Sequence, residues 1–429
     1  MVFSLLVSSC SWIGAVRASS SDIMQNVLLA SGWRSAGQLA AMSHDDMRNT
    51  LIVELGARST NSVSWLQARS DEQLAIFGLQ QLWLVESMTR TKTQLDQSSI
   101  EDQRNTVITV LHRRTGEQIL VLQGLDDWEL LYRVNGWWLP DRLWPLIEKL
   151  EGVTSAAVKV HNLSDSAGRG MDTLKVCPIG DRYWGIYHTK LNGVFELRVA
   201  ESRNLSTWTE IAFLGRHQHQ GDLRPMGKGF LVVNEEDSER GNQIRLRYFA
   251  GPDQLRAGVA SRDRRITRTF APSAEGTPHI EQIVGEKPDN SEILIGFHYF
   301  RDRVVDRQAM GVLLNFDRWK AWKNVVANRA LDRMGFRGNF GGRYGFQWDG
   351  GRWFVQEAQL RRTKFETWRM VVGNGRFYTW VYPETAGGSR AFGNPSVTVL
   401  PDGRFVVTSF LFGEAAAPGE SGELLYAVR

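Results

Sequence analysis

The sequence predicts a mainly β protein: a five-bladed β-propeller preceded by a small all-α domain built from a helical repeat. Three observations predict it. One pattern occurs twice between residues 42 and 130, short strand-like stretches alternate with turns from about residue 170, and those stretches divide into five blocks.

The helical repeat comes first in the chain. "MSHDDMRNTLIVELGARSTNSVSWLQARSDEQL" at 42–74 returns as "SSIEDQRNTVITVLHRRTGEQILVLQGLDDWEL" at 98–130, with Arg48-Asn49-Thr50 and Arg104-Asn105-Thr106 offset by 56 residues. Ser43 with Asp46, and Ser99 with Asp102, fit an N-cap with an acid three positions on. Leu51 and Leu55, like Val107 and Leu111, then lie four apart on one helical face. Each unit reads as two helices joined by a polar turn. The repeated Arg-Asn pair suits either a duplicated ligand site or a polar bridge between neighbouring helices, and the bridge is the simpler reading. "NGWWLPDRLWPLIEKLEG" at 135–152 carries Pro140 and Pro145 and predicts a covering link between domains. The boundaries read as 21–150 for the helical domain and 151–429 for the propeller.

Residues 1–20 have the apolar stretch and small-residue ending of a secretory leader but lack its basic start, so a leader with secretion stands beside retention as an open reading. No run of 18 apolar residues occurs, which argues against a membrane-spanning helix. Formal charge is +4 from 51 basic and 47 acidic residues, without a basic stripe, so nothing points to nucleic acid. Two cysteines give neither a disulfide scaffold nor a thiolate zinc site. His217 and His219 near Asp222 lack zinc-ligand spacing, and no phosphate-binding glycine motif opens a helix, so no metal and no cofactor is expected.

The five blocks begin near "MDTLKVCPI" (171–179), "HQGDLRPMGKGFLVVNEED" (219–237), "AEGTPHIEQI" (274–283), "NFGGRYGFQW" (339–348) and "AFGNPSVTVL" (391–400). Three of them end on a polar stretch leading to Trp: "AESRNLSTWTEI", "LLNFDRWKAW" and "RRTKFETWRMV". Blocks of this length suit four-stranded blades, and a Trp recurring at the blade end suits packing between blades. A β-sandwich with long loops is the rival, since it uses the same short strands.

"YWGIYHTKLNGVFELRVAESRNLSTWTEI" at 183–211, with its S-x-x-L-x-x-W ending, resembles the blades of five-bladed glycoside hydrolases, the group of arabinanases, xylosidases, fructan hydrolases and mannoside phosphorylases. The resemblance covers 170–429 as architecture. It implies an Asp from the first blade, an Asp from the second and a Glu from the third at one mouth of the channel. Asp172, Asp222 and Glu275 hold the matching block starts, and are the expected catalytic set for a glycosidase or transglycosylase acting on a furanosyl or pyranosyl carbohydrate. The first-blade setting departs from the family's W-x-x-D-P or N-D-P, since this chain has "RGMDTLK", and Asp165 is the alternative first acid.

Such chemistry needs a proton for the leaving oxygen and a carboxylate that attacks or activates water. A pKa raised by partial burial and by proximity to Asp222 would suit Glu275 to the acid role, with Asp172 remaining charged as base or nucleophile. His298, Tyr299 and Arg307 in "GFHYFRDRVVDRQAM", with Arg343 and Asn394 near the fourth and fifth inner strands, are expected to hold substrate. "NEED" at 234–237 is either a solvated turn or part of the second blade's site, and Trp348, Trp353 and Trp380 are candidate stacking platforms. A non-catalytic carbohydrate-binding protein and a protein-interaction scaffold remain alternatives, with the helical domain a candidate surface for self-association.

Overall fold

The computed structural model describes residues 19–429, so the leader reading and Cys10 lie outside the described residues. Helices α1 (Ser20–Ala30), α2 (Ala36–Ala41), α3 (His44–Gly56), α4 (Val63–Gln67) and α5 (Asp71–Glu86) are followed by α6 (Lys92–Asp96), α7 (Ile100–Thr115), α8 (Ile119–Gln123) and α9 (Asp127–Glu151). The starts of α6 to α9 follow those of α2 to α5 at the 56-residue offset seen in the sequence. Ser43 and Ser99 each cap their helix, and Asp46 and Asp102 return a carboxylate to the cap amide. The Arg of each Arg-Asn pair bridges helices: Arg48 pairs with Asp71 at 2.5 Å and Arg104 with Asp127 at 2.6 Å. Both also donate to carbonyls of the turn between, Arg48 to Gln67 and Arg69, Arg104 to Gln123 and Leu125.

The stretch 135–152 is a correction. It forms no link, but the body of α9, with both prolines inside the helix. Leu131, Val134, Trp138, Leu139, Leu143, Leu146, Ile147 and Leu150 bury one stripe, while the prolines sit on the more open side. Burial of that stripe, at about 1.5–3 kcal/mol per large side chain, outweighs the backbone bonds two prolines remove.

Among the described residues, twenty strands make five four-stranded antiparallel sheets. After β1 (Val158–Val160), blade 1 is β2 (Asp172–Ile179), β3 (Arg182–Leu191), β4 (Val194–Ser202) and β5 (Thr209–Arg216); blade 2 is β6 (Gln218–Met226), β7 (Gly229–Glu236), β8 (Gln243–Phe249) and β9 (Arg262–Arg265), with the short α10 (Pro252–Arg256) between its last two strands. Blade 3 is β10 (Glu275–Lys287), β11 (Asn290–Arg301), β12 (Val305–Leu314) and β13 (Arg318–Lys323), followed by α11 (Val325–Arg333). Blade 4 is β14 (Phe340–Trp348), β15 (Gly351–Gln359), β16 (Trp368–Gly373) and β17 (Tyr378–Val381), and β18 (Phe392–Val399), β19 (Phe405–Leu411) and β20 (Gly422–Val428) belong to blade 5. The five block starts are therefore the five inner strands. The ring closes through the chain's two ends: the last strand is the third of blade 5, and β1 supplies the fourth, pairing Val158 with Ala427. Tying the first strand to the last blade removes a free seam at the joint.

Trp208 packs as expected between blades, meeting Leu400, Val406 and Leu425 of blade 5. Its ring lies on Gly185, where a Cβ would stand 2.8 Å away. Trp319 lies on Gly311 in the same manner, and Leu205 and Phe316, each three residues before its Trp, share a left-handed backbone. Trp368 is reached differently, through a 3-10 turn at Phe365–Thr367.

The helical domain is fastened to blades 3, 4 and 5. Asn26 donates to the Lys323 carbonyl (3.2 Å) and accepts from the Val326 amide (3.3 Å), Arg329 reaches Glu72 (2.5 Å), and Tyr426 Oη donates to the Leu150 carbonyl. One apolar cluster runs across the joint, with Trp138, Leu139 and Val153 beside Tyr344, Val381 and Tyr426. No helix among the described residues is long and apolar enough to cross a membrane.

Candidate functional site at the strand-start mouth

Each inner strand opens with a bulge. Pairing slips between Asp172 and Lys175, His219 and Asp222, Gly276 and His279, Phe340 and Arg343, and Gly393 and Ser396. At four of the five the residue after the first member is left-handed without being glycine: Thr173, Gln220, Thr277 and Asn394, with φ of 56°, 51°, 43° and 46°. Such a backbone costs of order 1–3 kcal/mol per residue and persists only where its surroundings over-determine it.

A ring of side chains between blades does this. His188 Nδ1 accepts from the Gln220 amide at 3.3 Å, and Glu235 Oε2 from the Thr277 amide at 2.7 Å. Glu357 Oε2 accepts from Asn394 at 2.7 Å and its Oε1 from Gly342 at 2.6 Å. Glu423 accepts from Thr173 (2.8 Å) and Leu174 (3.1 Å). Between blades 3 and 4 the polarity reverses, with Gln308 Nε2 donating to the carbonyls of Phe340 and Gly341. Buried groups thus satisfy backbone amides that bulging would leave orphaned.

The bulges also bring Lys175, Asp222, His279, Arg343 and Ser396 to equivalent positions below the mouth, all buried. Lys175 Nζ reaches from blade 1 to the Pro278 carbonyl of blade 3 (3.4 Å), and burial pushes its pKa down to about 8. Asp222 Oδ2 accepts from the Ile280 amide (2.8 Å), and Arg224 Nε faces its Oδ1 at 3.5 Å. The Arg224 guanidinium in turn lies 4.5 Å from the Tyr344 ring centre, in blade 4. Side chains therefore fill the axis at this level.

The three expected catalytic acids are placed differently from one another. Asp172 begins β2, is partly exposed, and its carboxyl has no hydrogen-bond partner among the described residues; burial pushes its pKa up to about 6. Asp222 lies in the axial plug, fully buried. Glu275 begins β10 with Oε1 accepting the amides of Thr269 (2.8 Å), Phe270 (2.5 Å) and Ala271 (3.2 Å). Burial raises its pKa and these amides pull it back. Asp165 anchors its own loop, accepting from the Ala167 and Arg169 amides, the Arg169 guanidinium and Tyr187 Oη.

Of the expected substrate contacts, His298 and Asn394 are partly open; His298 pairs across from Gly276, with Nε2 at 3.8 Å from Asp306 Oδ1. Tyr299 is buried in the blade 3 core with Phe270 at 5.3 Å. Arg307 lies 3.9 Å from the Phe340 ring centre and donates to the Gly338 carbonyl and Asp332. Arg343 faces Glu281 and the Phe354 ring below the mouth, and Asn394 contributes its amide to Glu357. Trp353 lies beside Arg142 of α9, whereas Trp380 stacks on Tyr382 at 5.9 Å.

Several mouth residues were missed by reading inner-strand starts alone. Asp306, at the top of β12, is partly open, has no side-chain hydrogen bond among the described residues, and is raised in pKa by burial. Glu357 is pushed up to about 7 and Glu423 well above the carboxylate range, both by burial first. Glu235 and Asp237, from the "NEED" cluster, hold His219, with Asp237 Oδ1 at 3.0 Å from its Nε2; burial opposes the charge on His219, but the two carboxylates raise its pKa overall. In blades 2 and 4 the acid stands near the end of the second strand, Glu235 in β7 and Glu357 in β15, and in blades 3 and 5 at the start of the third, Asp306 in β12 and Glu423 in β20. No group of three ligating side chains among the described residues could hold a metal.

No protein-family model and no curated protein matches the chain. Solved structures do. A thermostable family-43 glycoside hydrolase is similar at 12% identity and a TM-score of 0.43, over 62% of this chain and 92% of that one. An α-L-arabinofuranosidase from Lactobacillus brevis matches at 8% and 0.44, over 62% and 94%, and the GH32 β-fructofuranosidase of Bombyx mori at 12% and 0.41, over 67% and 66%. The structural neighbours are glycoside hydrolases, and the strand order described above by itself makes this chain a five-bladed propeller.

Proposed function

We propose that the strand-start mouth takes a glycoside and cleaves or transfers it by carboxyl acid and base chemistry, with Asp172 and Asp306 as the working pair. The observation that carries this reading is that both are partly open carboxyls free of short hydrogen bonds, from different blades, and both are lifted in pKa by burial. A group near 6 is partly protonated close to neutral pH, which suits Asp172 to protonate a leaving oxygen. Asp306 then carries the charge that attacks or activates water, and His298 and Asn394 hold sugar hydroxyls.

A second reading, carbohydrate binding without turnover, is favoured by the engagement of Asp222 and Glu275 with backbone amides. The test is incubation with a panel of oligosaccharides, products followed by NMR, alongside Asp172→Asn and Asp306→Asn. The expected result is turnover that falls as pH rises through about 6, cut at least 100-fold by either variant with sugar affinity retained. Binding without product would establish the second reading, and neither binding nor product would overturn both.

A further inference from the structure

Below the mouth, on the side where the helical domain covers the propeller, a crevice of about 340 Å³ separates blades 3 and 4. Its walls carry four guanidiniums, Arg142, Arg343, Arg352 and Arg376, against two carboxylates, Glu86 and Glu281. Both carboxylates are occupied. Glu86 pairs with Arg376, while Glu281 meets Arg343, Arg352 and His279 Nε2, the last at 3.1 Å.

Donors are left over. Arg142 forms no ion pair among the described residues: Nη1 donates to the Glu86 carbonyl at 3.3 Å, and the guanidinium rests 5.7 and 5.3 Å from the ring centres of Trp138 and Trp353. Its Nε is buried without a partner, as are Nε and Nη1 of Arg343, whose side chain is 2% exposed. Burial works against the charge of Arg343 and of Arg352. Unpaired N–H groups on buried cations are costly, and a ligand with several acceptor oxygens satisfies them and the charge together.

We propose that this crevice binds a small organic anion, a phosphate or carboxylate head group carrying an apolar or ring-shaped body. The head group lies between Arg142 and Arg343, and the body against Leu294, Met310 and Trp138. The volume lies within the range of small-molecule sites. Since Arg142 belongs to the helical domain and Arg343 to the propeller, an occupant bridges the two and stabilises their contact.

The test measures thermal unfolding and tryptophan fluorescence of the full chain with inorganic phosphate, citrate, glucose 6-phosphate and, as neutral control, glucose. At least one anion is expected to raise Tm saturably and glucose to leave it unchanged; phosphate without citrate, or the reverse, identifies the head group. Arg142→Gln, checked for folding by circular dichroism, should weaken binding at least tenfold, and Arg142→Lys should restore part of it. Arg352→Gln serves in its place should Arg142→Gln not fold. The proposal is overturned if no anion acts up to about 10 mM, a concentration that exposes even millimolar Kd values, or if the glutamine variants bind as the parent does.

Discussion

Glu357 offers a direct test of how the ring between blades is built. Its carboxyl is wholly enclosed, with Oε1 on the Gly342 amide and Oε2 on the Asn394 amide, and burial lifts its pKa from an ordinary 4.5 to about 7. An acid whose folded pKa is raised binds more protons folded than unfolded, so its contribution to stability grows as pH falls from above 7 to below 4.5. At 1.36 kcal/mol per pKa unit the swing is roughly 3 kcal/mol. Glu357→Gln keeps the shape and removes the titration. Urea unfolding of parent and variant from pH 4 to pH 8 should therefore show the variant gaining about 3 kcal/mol on the parent as pH rises through this window. Loss of the Glu357 charge beside His298 and Asp306 adds only the lesser influences on its pKa. A difference that stays flat within about 1 kcal/mol, or one that runs the other way, would refute the account of a carboxyl held against burial by two amides.

Two further substitutions probe named contacts. Glu275→Ala strands the amides of Thr269, Phe270 and Ala271 and should cost about 2–4 kcal/mol in chemical denaturation; full stability with lost turnover would instead assign Glu275 to chemistry. Trp208→Ala opens a hole between blades 1 and 5 and removes the ring lying on Gly185, so a loss of about 3–5 kcal/mol is expected, measured as a lowered urea midpoint with an unchanged m-value.

The elements were legible because local chemistry writes them. Ser43 and Ser99 announce helix starts through side chains that reach three residues along, and "NFGGRYGFQW" announces a strand through its own alternation and turn. Pro140 and Pro145 misled for the same reason: a local rule predicts a break, whereas α9 continues because Leu139, Leu143, Leu146 and Ile147 are buried by partners remote in sequence. Blade closure was not legible, since β1 and β20, which pair Val158 with Ala427, are remote along the chain and meet only when the ring closes.

By itself, then, the sequence determined a helical region ahead of five blades and the strand from which each blade begins, all of them consequences of periodicity within a few tens of residues. Tertiary structure alone decided which carboxyl does what. Asp172 and Glu275 open their inner strands and Asp222 follows the bulge of its own, and one stands partly open, one is held by three amides and one is enclosed in the axial plug. A carboxyl's charge, reach and proton affinity are set by the solvent and donors around it, and those are supplied by neighbouring blades and loops whose positions no short stretch of sequence encodes.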